Sequence, residues 1–308
     1  GTSTVWGGQM ISFQKYDVEQ RSHINLKSWP IKFKEIKRHH ESIFNFFNFR
    51  FLNEISKVYV KKKNFFISKK IFQLRFSTFI NKKYRNFYQL FKKKIKKNNN
   101  LSIYKNIKNL EIVNDKNNHV VEKIIIKNSD NKKLEINAKE FIISCGAIES
   151  TKLLLSYNKK NKNFITKNKS PLGMYFSEQL SFVCGEFNVK NYKKFIEYFS
   201  PIYQNFLVHA PRLEVSNEFQ KKNKIPSAFC HFTYNYEKLN FKVSNLYKII
   251  YDFIYFKFIK KTVWYRKPSK VFLNINLEQS RNSKNKLYLS KKINGKYKLV
   301  INWKIYKK

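Results

Sequence analysis

The spacing of apolar residues changes several times along the chain, and each change marks an element. After Ser28-Trp29-Pro30-Ile31, apolar side chains recur at helical spacing from Lys34 to about Phe47, which predicts a helix. Ser28 or Lys32 can begin it, and Pro30 suits the approach to a first turn. Residues 51–100 scatter Phe and Ile among lysine clusters without a single period, and predict a lysine-rich insertion of short strands or a helix. From residue 101 the pattern becomes strand-like at 101–104, 120–126 and 133–136, with turn residues at 115–118 and 128–131 between them. That order predicts an antiparallel meander. A short apolar run at 141–145 leads through Gly146 and Ala147 into a helical stretch at 148–157. A buried strand passing through glycine into a helix is the shape of a doubly wound α/β crossover. An ordinary strand-turn-helix without a ligand has the same pattern.

Beyond a polar stretch ending in Ser170-Pro171-Leu172-Gly173, strands are predicted at 181–184, 228–234, 271–277, 286–290 and 298–303. Residues 246–260 interrupt them with a helix whose apolar residues cover more than one narrow face. It is too short, and too rich in lysine, to span a bilayer. It reads as a core or interdomain helix, with a membrane-surface helix as the alternative. No internal repeat is evident.

Composition changes the picture in one respect. The net charge of +43 taken alone points to nucleic acid or an anionic membrane. Yet only eight of the 63 basic residues are arginine, and lysine recurs from Lys61 to Lys308 without concentrating. Abundant Lys, Asn, Ile, Phe and Tyr beside scarce Gly, Pro and Arg is the bias of an AT-rich coding genome. A nucleic-acid site would instead gather Arg and Lys in a patch, so nucleic acid is the disfavoured partner. Length allows two domains. Cys145, Cys184 and Cys230 are odd in number and far apart, which suggests neither a zinc site nor a disulfide framework. A reducing, cytoplasmic setting fits that usage.

Several motifs then match one family in order. Gly1-Thr2-Ser3-Thr4-Val5-Trp6-Gly7-Gly8 resembles the flavin-side loop of glucose-methanol-choline (GMC) oxidoreductases, and Trp29-Pro30-Ile31 is similar to a stretch that follows it in the bacterial branch. Residues 140–156, around Gly146-Ala147-Ile148-Glu149-Ser150, resemble the family's second signature. Leu172-Gly173 through Glu178 is similar to the next element, although Gln179 stands where the family usually has His. Glu278-Gln279-Ser280-Arg281, residues 287–290 and Ile301-Asn302-Trp303 resemble its closing strands. Residues 51–100 and 186–265 are poorly covered.

The resemblance implies a mixed α/β (α+β) fold: a partial Rossmann-like FAD-binding domain joined to a substrate domain on an antiparallel sheet. Its segments would be the flavin-side loop and helix at 1–50, the insertion at 51–100, an FAD-domain segment at 101–170 and an incomplete substrate domain at 171–308. It implies FAD as cofactor, an alcohol or sugar-like substrate whose CH–OH group is oxidised, and an electron acceptor of unknown kind. Thr2, Trp6, Gly7 and Gln9 occupy its flavin-contacting positions, with Ser3 a further hydroxyl donor. Gly146 and Ala147 would let a strand end lie against the cofactor, and Asn109 would reach the adenine side through its backbone. The pyrophosphate-binding glycine fingerprint would precede Gly1 and the catalytic histidine would follow Lys308, so no catalytic residue is expected in this chain, which reads as an inactive piece of the enzyme. A lysine-rich nucleic-acid-binding protein and a peripheral membrane protein are the rivals. Among the remaining residues, Cys145 reads as a buried small hydrophobe. His39 and His40 read as solvated on a surface helix, and His209 and His231 as structural histidines on strands, either able to face a pocket. No metal pattern occurs in the sequence.

Overall fold

The computed structural model describes residues 2–47, 68, 70–115, 120–167, 169–204, 207–235, 246–259, 268, 270–290 and 297–305. Gly1, residues 51–67 of the expected insertion, much of the turn at 115–118 and Lys260 lie outside them. Twelve strands are described: β1 (Gln9–Met10), β2 (Phe72–Phe79), β3 (Ile107–Asn114), β4 (Val121–Asn128), β5 (Lys133–Asn137), β6 (Leu180–Glu186), β7 (Ile202–Gln204), β8 (Leu207–Val215), β9 (Ala228–Asn235), β10 (Lys270–Leu277), β11 (Lys286–Leu289) and β12 (Leu299–Asn302). The longer helices are α1 (Phe33–Phe46), α2 (Phe87–Lys97), α3 (Ala147–Lys160), α4 (Tyr192–Phe199), α5 (Asn217–Asn223) and α6 (Leu246–Ile254). The class is mixed α/β, with antiparallel sheets. The chain divides into two compact units, each made of two stretches: 1–94 with 179–280, and 95–178 with 281–308.

The first unit is built on a seven-stranded sheet in the order β1-β2-β8-β9-β10-β6, with β7 also on β8. Strand β8 alternates strictly: Leu207, His209, Pro211 and Leu213 are buried, while Val208, Ala210, Arg212 and Glu214 are half-exposed. Residues of period two point to opposite faces, so β8 separates an apolar underside from a polar upper face. It pairs with β2 along its whole length, from Phe72↔Val215 to Phe79↔Val208. With β9 it is registered at only two positions, Leu213↔Cys230 and Glu214↔Phe229. Pro211 has no N–H to donate, and the two strands part there. Beneath the sheet, Phe47, Ile80 and Leu207 form a core closed by Trp6, Met10, Phe44, Tyr84 and Phe87. Helix α1 starts where expected, at the Lys32 cap, whose N–H donates to the Glu35 carboxylate at 2.8 Å. His39 is exposed as expected, but His40 is half-buried between Phe33 and Phe44.

The second unit contains the expected meander, as the three-stranded sheet β3-β4-β5, and the hairpin β11-β12. Its first strand begins at Ile107, and 101–104 has no regular structure. Asn131, at φ 60°, closes the turn between β4 and β5, where Asn128 Oδ1 accepts from Asp130 and Lys132 N–H. Helix α3 follows Gly146 as expected.

Four further expectations require correction. Residues 141–145 form no strand, and Ile142 is 88% exposed. A strand needs a partner for its backbone groups, and here Cys145 N–H donates instead to Ser150 Oγ at 3.2 Å. Every registered strand pair among the described residues is antiparallel, so the doubly wound crossover is not formed. Cys145 is exposed, not buried. Helix α6 is not a core helix: none of its residues is buried, and Tyr247, Ile250 and Tyr251 are among its exposed large side chains.

Within the first unit, an ion pair joins the N-terminal stretch to the residue that follows β10. Arg21, 6% exposed, donates from both Nη atoms to the two oxygens of Glu278 at 2.6 Å, and Glu278 also accepts from Ser227 N–H. Removing the carboxylate strands a buried guanidinium, whereas removing Arg21 leaves a carboxylate that water reaches. Glu278→Ala should therefore cost about 3 kcal/mol or more, and Arg21→Ala clearly less. Urea unfolding of both variants checks the order, and equal losses would contradict it.

Candidate functional site

The upper face of the large sheet carries a connected set of polar side chains. On β2 and β8, Arg75 Nη1 contacts both oxygens of Glu214 at 3.0 Å, and Gln73 Nε2 donates to the same carboxylate at 3.2 Å. Arg75 also donates to the Ser12 carbonyl. One strand position along, Ser77 Oγ accepts from Gln9 Nε2 at 2.8 Å and from Arg212 Nε at 3.1 Å. Further across, Asn274 donates to Thr233 Oγ1 at 2.7 Å, and Gln179 Nε2 donates to Asn276 Oδ1 at 2.6 Å. Cross-strand pairing places all these groups on one side because their registers agree.

Where β8 and β9 part, this face opens into a cleft of about 550 Å³. Gln9, Arg85, Arg212, His231 and Thr233 supply its polar wall, and Phe79, Phe199, Pro201 and Phe232 much of its apolar wall. A mostly apolar hollow with a few converging polar groups is the usual form of a small-molecule site. Arg85 reaches it by lying against Gly8, whose φ is +70° and where an added Cβ would sit 2.7 Å from Arg85 Nε. Only glycine suits that backbone and that contact.

The two strand histidines divide cleanly. His209 is 2% exposed on the underside, with Nδ1 2.8 Å from Thr78 Oγ1 and a further bond to the Gln204 backbone. Burial holds its pKa down to about 4. It is structural. His231 lines the cleft, and its buried Nδ1 has no partner among the described residues. Burial first, and then the Arg212 charge, lower its pKa and favour the neutral ring. Burial also raises the Glu214 pKa, with Arg75 opposing it.

The residues singled out from sequence fall in two groups. Thr2 and Ser3 lie in a 3₁₀ turn, with Ser3 exposed; Gly7 is exposed, and Gln9 lines the cleft. Trp6 stacks on Phe87 at 5.9 Å, and its buried Nε1 has no partner among the described residues. Asn109 on β3, and Gly146 with Ala147 at the start of α3, belong to the other unit. The structure thus brings Gln9 together with Ser77, Arg212 and His231. Of these, sequence reasoning missed Ser77 and Arg212, together with Arg75, Arg85, Glu214, Asn274 and Asn276. The scarcity of arginine was the available signal. Among the described residues, no group of three or more His, Cys, Asp or Glu side chains could hold a metal. No family model, curated protein or solved structure matches the chain.

His209 makes stability depend on pH. Its folded pKa of about 4 lies below the ordinary 6.5, so the unfolded chain binds the extra proton between those values. Its contribution is complete above pH 6.5 and is lost as pH falls toward 4, on the order of 3 kcal/mol in total. His209→Gln should flatten the acid limb of a plot of unfolding free energy against pH. An unchanged limb would assign the acid sensitivity to other groups.

Proposed function

We propose that the chain is part of an FAD-dependent oxidoreductase of the GMC type, oxidising the CH–OH group of an alcohol or sugar-like substrate. One observation carries this reading. Gln9, at the end of the glycine loop that the resemblance assigns to the flavin, is also a wall of the cleft. A cofactor loop and a polar cleft that share a residue meet the need to hold two reactants side by side. In this reading the unit with the large sheet is the substrate domain, and the unit with the meander is part of a Rossmann-like FAD domain.

The chain's own residues in the first unit suit a broad, flat cofactor in two respects. A side chain at Gly7 would meet nothing within 4 Å, which leaves open approach to the backbone. The orphaned Trp6 Nε1 is a donor awaiting an acceptor. Bound there, flavin would supply the acceptor for the hydride that leaves the carbinol carbon. The cleft residues would orient the substrate: Gln9, Thr233 and His231 by hydrogen bonds, Phe79 and Phe232 by contact with its C–H faces. The acceptor of the hydroxyl proton is assigned to no residue of this chain.

Adjacent glycines separate cofactor contact from folding. In the whole protein, Gly7→Val should fold normally and lose most of its flavin, read as visible absorbance per folded protein. Gly8→Val should instead melt at a clearly lower temperature, because the new side chain meets Arg85 at a backbone angle that valine rarely adopts. Whole protein that purifies colourless and takes up no FAD overturns the reading.

Helix α6 favours a second reading, binding to an anionic membrane surface. Tyr247, Ile250, Tyr251, Ile254, Phe258 and Ile259 are exposed, and Lys248 and Lys257 lie among them. No helix among the described residues is long and apolar enough to cross a membrane. Co-sedimentation with phosphatidylserine vesicles but not phosphatidylcholine vesicles, lost in Ile250→Asp/Tyr251→Asp, is the expected result. Equal recovery with both vesicle types removes this reading.

A further inference from the structure

We propose that the cleft between β8 and β9 binds the carboxylate of its substrate, so that the substrate class is a hydroxy acid of sugar-like size. The inference rests on the oxidoreductase reading for the role of the ligand as substrate, and on the cleft alone for its charge.

The cleft is positively charged by construction. Arg85 and Arg212 line it, and no Asp or Glu does so among the described residues. Arg212 is locked at one edge and one face. Its Nε donates to Ser77 Oγ at 3.1 Å, and its guanidinium carbon lies 4.2 Å from the centre of the Phe229 ring. Its two Nη groups have no hydrogen-bond acceptor among the described residues. Glu214 on the same face favours the charged Arg212 through its own charge but accepts its hydrogen bonds from Arg75 and Gln73, not from Arg212. Asp17, close enough to Glu214 to oppose its ionisation, has an oxygen taken by Gln14 N–H and does not line the cleft.

Arg85 repeats the arrangement. Its Nε donates to the Ile80 carbonyl at 3.1 Å, its guanidinium carbon lies 5.9 Å from the centre of the Phe79 ring, and its Nη groups have no described acceptor. A guanidinium held by its Nε and its face presents a rigid two-pronged edge, and a planar carboxylate is the group that matches it. Burial lowers the pKa of Arg212, yet arginine stays charged in proteins, so a desolvated cation gains most from an anionic partner. The unpartnered Nδ1 of His231, with Gln9 and Thr233, then offers hydroxyl partners beside the anion site. The aromatic walls suit the C–H faces of a ring.

Glucuronate and glucose share a ring and differ in carboxylate against CH₂OH, which makes them matched probes. Calorimetry on the whole protein should find glucuronate bound at least about tenfold more tightly than glucose. Arg212→Gln should lower glucuronate affinity by about 10- to 100-fold and glucose affinity by clearly less. Arg212→Lys, which keeps the charge and loses the fork, should fall between. The comparison of the two sugars on unaltered protein stands even where a variant fails to fold. Equal affinities for glucuronate and glucose overturn the proposal, and so does inorganic phosphate binding more tightly than glucuronate, which would mark a phosphate site. Because binding is measured without turnover, the two readings fail separately. Glucuronate binding without any flavin content removes the oxidoreductase and keeps the anion site. Flavin reduced by neutral alcohols, with no preference for glucuronate, does the reverse.

Discussion

Pro211 occupies the middle of β8, the strand on which the large sheet turns. On one flank β8 is bonded to β2 over its full length, a pairing between segments more than a hundred residues apart. On the other it meets β9 at Leu213 and Glu214 and then leaves it. A proline cannot donate to a ladder, so the strand can serve only one neighbour fully at that position. The gap that results is the cleft, and the polar wall of β8 reaches it through Arg212. Were β8 and β9 zipped together, Arg212 and His231 would be neighbours on a closed sheet and there would be no hollow between them.

The polar face also shows how a chain dominated by lysine uses its few arginines. Arg21, Arg75, Arg85 and Arg212 all hold partly or fully buried bonds, to Glu278, Glu214, the Ile80 carbonyl and Ser77. Lysine, a flexible point charge, forms exposed pairs such as Lys160–Glu111 and Lys270–Glu186 that contribute little to stability. A planar fork cannot be replaced by an ammonium group where several donors must be aimed at once. A bias toward lysine does not account for these positions, where the bonds need a planar fork.

Much of the local structure was legible in the sequence. Helix α1 with its start at Lys32, the meander, α3 behind Gly146, and the strands β6, β9, β10, β11 and β12 all follow from period and turn residues, which act within a few positions of the chain. The misplacements have equally local causes. The apolar run at 141–145 has the composition of a strand and no partner to pair with. Helix α6 has the composition of a core helix, and nothing described covers it. Period alone cannot report whether a neighbour exists.

By itself the sequence determined which segments bend, alternate or coil, that glycine is required in the first loop, and that arginine is reserved for few places. It did not determine which of the two adjacent glycines is constrained, because that depends on Arg85, some eighty residues away, lying against Gly8. Nor could it reveal that His209 points under the sheet while His231 opens onto a cleft, since a strand's two faces are equivalent until one is covered. Each compact unit is assembled from two separated stretches, and the polar row from Gln9 to Asn276 joins side chains from both ends of the first. Tertiary structure decided these matters because strand register, unlike strand propensity, is a property of pairs.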